Sequence, residues 1–185
     1  TRMKLQIAFI KEKEISSKLA DDINEKEKML NEYLQFASSS SIERTETFDI
    51  SKLTTLTIDK YENKNISTKI QNMIYFDGRK SLIQRCLNNV IDNAIKFGKL
   101  INISLKKDKN NIYIKIDDDG PGIDEKELEN VFKPFYKIDK GRDISISSVG
   151  LGLSIALDII KSHGGKINLT RSSANGLGVE IILPF

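Results

Sequence analysis

The sequence predicts an α+β fold, a mixed sheet covered on one face by helices, and three observations carry the prediction. Leu82, Ile83, Cys86, Leu87, Val90, Ile91, Ala94 and Ile95 recur at helical spacing, which gathers them on one stripe. Ile112-Tyr113-Ile114-Lys115-Ile116 alternates instead, as a strand with one buried face does. Hairpin-like pairs are interspersed with such long helices along the chain, an order that argues for α+β.

The first forty residues read as a helical appendage. From Thr1 to Phe36 there is neither glycine nor proline, and Lys, Glu, Leu and Ile dominate, which favours helix. Ile15, Leu19, Ile23, Leu30, Leu34 and Ala37 form one apolar stripe. Helices are expected at 3–10 and 15–38, broken at Lys11–Glu14, with Ser16 or Ser17 as cap. So short a pair cannot bury its stripe alone, so it should pack on a partner chain or on the body. Ser38–Ser41 reads as a joint. The expected domains are therefore 1–41 and 42–185.

In the body, Thr47–Ile50 reads as a strand, and Ser51 as the cap of a helix over 52–62. Ile66–Ile70 and Met73–Phe76 are strand candidates, and Asp77-Gly78 leads into the long helix, which ends near Gly98. Ile101–Leu105 and Asn111–Ile116 pair as a hairpin across Lys109-Asn110. A short helix over 125–131, a long irregular stretch, a helix from Gly150 to His163, and strands at 166–172 and 179–184 complete the prediction.

Composition narrows the function. At 185 residues the chain can bury one substantial core. A net charge of +3, from 29 basic and 26 acidic residues, is too balanced to argue for nucleic acid. The single cysteine, Cys86, rules out an intrachain disulfide and fits a reducing compartment, where it reads as a buried structural thiol. No apolar run approaches a membrane helix and no signal peptide is visible. The chain starts at Thr1 rather than methionine, so it is expected to be part of a longer protein whose membrane or sensor parts lie elsewhere.

Four stretches carry candidate chemistry. Asp117–Ile123 breaks a strand into an acidic Gly-Pro-Gly turn, which suits either a carboxylate held to accept from an amino group or a solvated hairpin rim. Asn89, Asn93 and Lys96 share one face of the long helix. An amide oxygen there can ligate Mg²⁺ and an ammonium can meet phosphate, although a solvated face has the same pattern. Lys133–Val149 is a long connection poor in core residues, as lids are. Gly150-Leu151-Gly152-Leu153 opens a helix whose first amides could bind phosphate.

In this order the four stretches resemble the ATP-binding domain of sensor histidine kinases, within the superfamily that includes gyrase, Hsp90 and MutL ATPases. Asn89–Phe97 is similar to the family's N box, Asp118–Gly122 to its G1 box, Phe132–Phe135 to its F box and Gly150–Leu153 to its G2 box; Gly176 and Gly178 echo a terminal glycine element. The resemblance implies a two-layer α/β sandwich of the Bergerat ATP-binding type, with ATP and Mg²⁺ as cofactors. It implies that Asp118 bonds the adenine amino group and that Asn89 ligates Mg²⁺, with Asn93 and Lys96 near the phosphates and Phe97 beside the nucleoside. Gly120, Gly122, Ile123, Phe135, Gly150, Leu151, Gly152 and Leu153 complete the implied ATP site, with Lys137 as a basic lid residue and Arg142 approaching the γ-phosphate. Asn89, Lys96 and Arg142 are the implied catalytic set.

Thr1–Leu5 and Tyr33–Ala37 resemble the back half of the kinases' dimerisation and phosphoacceptor hairpin, closest to the osmolarity-sensing subgroup. The implied whole is the cytoplasmic part of an inner-membrane-anchored bacterial kinase. It would be a homodimer that passes phosphate from ATP to a histidine and then to a response-regulator aspartate. The alternative is a non-catalytic, nucleotide-dependent binding or dimerisation module. The family's phosphoacceptor histidine would precede Thr1, and the only histidine here, His163 before Gly164-Gly165, matches a structural family position. This chain is therefore expected to bind ATP without phosphorylating itself. Arg85 stands where ATPase relatives place a water-activating glutamate, so low ATP hydrolysis is expected.

Overall fold

The computed structural model describes residues 43–61, 64–138 and 150–185, and, nearer the start, the helical residues 19, 20, 23, 24, 26, 27 and 30. The rest of the expected N-terminal helices, their caps and the Ser38–Ser41 joint lie outside the described residues. From Glu43 the chain builds one compact unit that includes Gly150–Phe185.

That unit opens with β1 (Glu46–Asp49) and α1 (Ile50–Ile58). Asp49, not Ser51, caps the helix, its carboxylate accepting the Lys52 amide at 3.0 Å. Ser51 is buried within the first turn, where its hydroxyl donates to the Gln71 carbonyl at 2.7 Å and accepts from the Ile74 amide at 3.1 Å. Both residues are good caps, and tertiary demand for a buried hydroxyl decided between them. A 3-10 turn, Asp59–Tyr61, follows the helix.

β2 (Asn65–Ile70) and β3 (Tyr75–Gly78) come next. Met73, expected at the head of the third strand, instead has φ 57° and turns the chain. α2 (Lys80–Phe97), the hairpin β4 (Leu100–Lys107) and β5 (Asn111–Asp118), α3 (Gly152–Lys161), β6 (Lys166–Arg171) and β7 (Leu177–Pro184) follow. The helix expected over 125–131 is two separate 3-10 turns, Glu125–Glu127 and Asn130–Phe132, neither with a buried residue. Without an apolar stripe a full helix there has nothing to pack.

The main sheet has strand order β2-β4-β5-β7-β6. β2 runs parallel to β4 and the other pairs are antiparallel, so the sheet is mixed. β1 and β3 form a separate antiparallel ribbon. Side chains alternate across a strand, and register stacks Ile103 on Ile116 and Ile114 on Ile181 on the buried face. Against that face lie the apolar stripes of α2 and α3, with Ile83, Leu87, Ile91 and Ile160 almost fully buried. Each such side chain contributes about 1.5–3 kcal/mol of burial. Cys86 sits in this layer, and burial pushes its thiol up to about 12, so it is inert packing.

Candidate functional site

Strand parity decides which carboxylate of the acidic turn matters. Asp118 shares the parity of Ile112, Ile114 and Ile116, so it points into the layer between sheet and helices and is 3% exposed. Its Oδ1 accepts the backbone amides of Gly120 at 2.8 Å and Leu177 at 3.1 Å. Burial raises the Asp118 carboxyl above the usual carboxylate range, against the two amides that favour its charged form.

The aspartates on either side have structural tasks of their own. Asp117 lies on the opposite face, 8% exposed, paired through Oδ2 with Lys115 at 2.8 Å. Asp119 accepts the amides of Lys99 and Leu100 at 2.6 and 2.9 Å, tying the exit of α2 to the end of β5. Those two bonds hold its carboxyl below the usual range.

Three further segments close around Asp118 so tightly that only glycine fits. A Cβ on Gly176 would lie 2.2 Å from the Asp118 carbonyl oxygen and 2.4 Å from Oδ1. One on Gly98 would lie 2.8 Å from the Asp118 Cβ, and one on Gly120 2.7 Å from the Phe97 carbonyl. The Ser172 hydroxyl donates to the Asp118 carbonyl at 2.5 Å and accepts from the Gly176 amide at 3.0 Å. Sequence reasoning missed Ser172; its only signal was a serine opening the Ser-Ser-Ala-Asn-Gly turn between two strands.

The second pole of the site lies about 13 Å back along α2, nine residues at the helical rise. There Asn89 is half-buried and its Nδ2 is fully buried with no hydrogen-bond partner among the described residues. A Cβ on Gly152 would stand 4.0 Å from the Asn89 Oδ1, so the start of α3 faces this amide. Among the described residues no side chain caps α3. Its first amides and the Asn89 amide are thus donors gathered at one place without an acceptor among the described residues, an arrangement that suits a bound anion. Among the described residues, no group of three His, Cys, Asp or Glu side chains could hold a metal by itself. A hard cation would therefore need oxygens from the anion as well as from Asn89.

Between the poles, Asn93 and Lys96 are half-buried on the same helix, and the Lys96 ammonium lies 5.3 Å from the Phe97 ring centroid. Phe97 and Phe135 are 44% and 53% exposed, unusual for aromatics and suited to a flat ligand. Gly122, at φ 66°, packs beside Asn175 and Gly176, and Ile123 after it is half-buried. Leu151 is buried and Leu153 half-buried at the head of α3, preceded by Gly150 at φ 76°. Lys137 is exposed just beyond the Phe132–Phe135 stretch. Arg142 lies outside the described residues.

A family model described as histidine kinase-, DNA gyrase B- and HSP90-like ATPase matches residues 78–185. The chain belongs to this ATPase family. Within it, the chain is 29% identical over 187 residues to the sensor histidine kinase GtrS of Pseudomonas aeruginosa, covering 100% of this chain and 38% of that protein. It is 30% identical over 179 residues to the sensor histidine kinase WalK of Bacillus subtilis, covering 88% of this chain and 29% of that one. The histidine kinase domain of the Escherichia coli osmosensor EnvZ superposes with a TM-score of 0.59 at 29% identity, covering 79% of this chain and 92% of that domain. The α+β unit is thus an ATP-binding catalytic domain of the sensor histidine kinase kind, and the chain spans less than two fifths of the length of these two curated relatives.

His163 is no part of this site. Its Nδ1 hydrogen donates to the Ile159 carbonyl at 2.7 Å and its Nε2 accepts the Arg79 amide at 3.0 Å, so both ring nitrogens are committed within the fold. Among the described residues no helix is long and apolar enough to cross a membrane.

Proposed function

We propose that the intact protein is a sensor histidine kinase in which this domain holds Mg-ATP for transfer of the γ-phosphoryl group to a histidine outside the chain. A response-regulator aspartate would then receive the phosphate. Residues 1–41 would be the end of a dimerising, phosphoacceptor helical hairpin, and the whole a homodimer on the cytoplasmic side of a bacterial inner membrane. The observation that carries the reading is the pairing of poles along α2, a buried carboxylate at one end and, at the other, donors without an acceptor among the described residues.

In this reading Asp118 accepts from the adenine amino group, and the glycines around it let backbone approach the base. Phe97, Phe135 and Ile123 flank the nucleoside. Asn93, Lys96 and the first amides of α3, from Gly150 to Leu153, hold phosphate oxygens, with Lys137 and Arg142 adding positive charge from the adjoining stretch. Asn89 holds Mg²⁺ by its amide oxygen. When bound, the ion would offset the phosphate charge and orient the leaving oxygens. The rest is positioning, which is most of what phosphoryl transfer asks of a protein.

The test supplies a histidine-bearing helical hairpin in trans with labelled ATP. Transfer to its histidine, lost in Asn89→Ala with folding retained, supports the kinase. Tight ATP binding without transfer would point instead to a nucleotide-dependent binding module.

A further inference from the structure

We infer that Glu127 is a positioning residue for the phosphate end of the site, acting through Tyr136 to fix where α3 begins beside Asn89. The inference rests on the ATP-site reading and names a residue which that reading does not use.

Glu127 lies in the first 3-10 turn after the acidic loop. Its Oε2 accepts the Tyr136 hydroxyl and also the Asn130 amide at 3.2 Å. Lys133 in turn donates to the Asn130 Oδ1 at 2.7 Å. One carboxylate thus ties together residues 127, 130 and 136, across two turns that bury no residue. The Tyr136 bond is the main reason the Glu127 carboxyl lies below its ordinary range.

The far side of Tyr136 is what gives this knot a function. The Phe135 amide donates to the Gly150 carbonyl at 2.9 Å, and the Tyr136 carbonyl packs so closely that a Cβ on Gly150 would lie 2.7 Å from it. Phe135 and Gly150 both have left-handed backbones, at φ 65° and 76°. A non-glycine residue keeps such a conformation only where its neighbours over-determine it. Gly150 is followed at once by Leu151 and α3, whose start faces Asn89. The path from Glu127 to the phosphate donors is therefore short: carboxylate, tyrosine hydroxyl, residue 136 backbone, Gly150, α3. A negative charge on this side of the site could not itself bind phosphate, so its effect must be indirect.

A staple that merely stabilises surface turns would loosen the whole domain. A positioning residue changes one end of the site. The 185-residue chain and its Tyr136→Phe, Glu127→Gln and doubly substituted forms are titrated with Mg-ATP and with adenosine, alongside thermal unfolding. Tyr136→Phe is expected to weaken ATP about tenfold. Glu127→Gln should weaken it less, because an amide oxygen still accepts but more weakly than a carboxylate. Adenosine, which reaches only the Asp118 pole, should bind all forms alike. The double variant should fall short of the product of the two single losses, since both substitutions act on the Glu127–Tyr136 bond. The inference is overturned if folded Tyr136→Phe binds ATP like the parent, if ATP and adenosine weaken together, or if the two substitutions add. A parent chain that binds neither ligand would remove the ATP-site reading itself, and this inference with it.

Discussion

Leu177 donates its backbone amide to the Asp118 carboxylate at 3.1 Å, across 59 positions of sequence, so the last strand of the sheet holds the carboxylate that faces the site. Burial nevertheless raises this carboxyl, so the folded state penalises the charged form. A raised carboxyl costs stability once pH passes its folded value, and costs nothing below its unfolded value near 3.8. Asparagine can accept the same two amides without a charge. Asp118→Asn should therefore unfold at an equal or higher denaturant concentration than the parent at pH 7, with the advantage shrinking as pH falls towards 4. Its ATP affinity should collapse, because an amide nitrogen would confront the adenine amino group. A variant less stable at pH 7 than at pH 4, relative to the parent, would refute this account.

Two glycines of the site should respond oppositely to alanine. Gly176→Ala places a Cβ 2.2 Å from a backbone carbonyl, 2.4 Å from the Asp118 carboxylate and 2.6 Å from the Gly120 amide. None of these can step aside, so the domain should lose about 1–3 kcal/mol and its nucleotide affinity together. Gly152→Ala meets nothing nearer than 3.8 Å, and it lies within α3. Alanine there should stabilise the unliganded domain by about 0.4–1 kcal/mol while weakening ATP, since the new methyl fills the space facing Asn89. Urea unfolding and ATP titration of the two variants separate the effects.

These contrasts mark how far the sequence could be read. The alternation through Ile116 already places Asp118 on the core face, and helical spacing gathers Asn89, Asn93 and Lys96 on α2. Periodicity reports which way side chains point, so it reached both poles of the site. It could not report that Ser172 grips Asp118 or that Asp119 ties α2 to β5, because those bonds join turns far apart in the chain. Capping chemistry misled for a related reason: Asp49 and Ser51 are equally good caps locally, and only the Gln71 and Ile74 backbone decides between them. The 125–131 stretch was read as helix from local preference, yet a helix without a buried face has little to sustain it.

His163 should make the domain sensitive to mild acid. Its Nε2 accepts the Arg79 amide and so must be unprotonated, and burial first, then the Arg79 charge, lowers its affinity for a proton against the opposing Ile159 bond and Glu43. A base with a lowered folded pKa contributes stability above its unfolded value, near 6.5, and loses it as pH falls through the folded value. Denaturation midpoints should fall between pH 6.5 and 5 in the parent and stay flatter in His163→Gln, whose amide oxygen accepts the Arg79 amide at any pH. Because both ring nitrogens are committed, incubation with labelled ATP should leave no stable phosphate on His163.

Asn89 offers the sharpest separation between holding the fold and holding the ligand. Its Nδ2 is buried without a partner among the described residues, so the unliganded domain already bears the cost of desolvating it. Removing the amide deletes that cost along with the side chain's packing, and Asn89→Ala should change stability by about 1 kcal/mol or less. The ligand side should respond far more strongly. If the Asn89 oxygen holds Mg²⁺ against the phosphates, the parent should bind ATP more tightly with Mg²⁺ than with a chelator. In Asn89→Ala the two titrations should coincide. Adenosine binding, governed by the Asp118 pole at the other end of α2, should be unchanged. A variant that keeps the full Mg²⁺ dependence of ATP binding would show that the ion is held elsewhere.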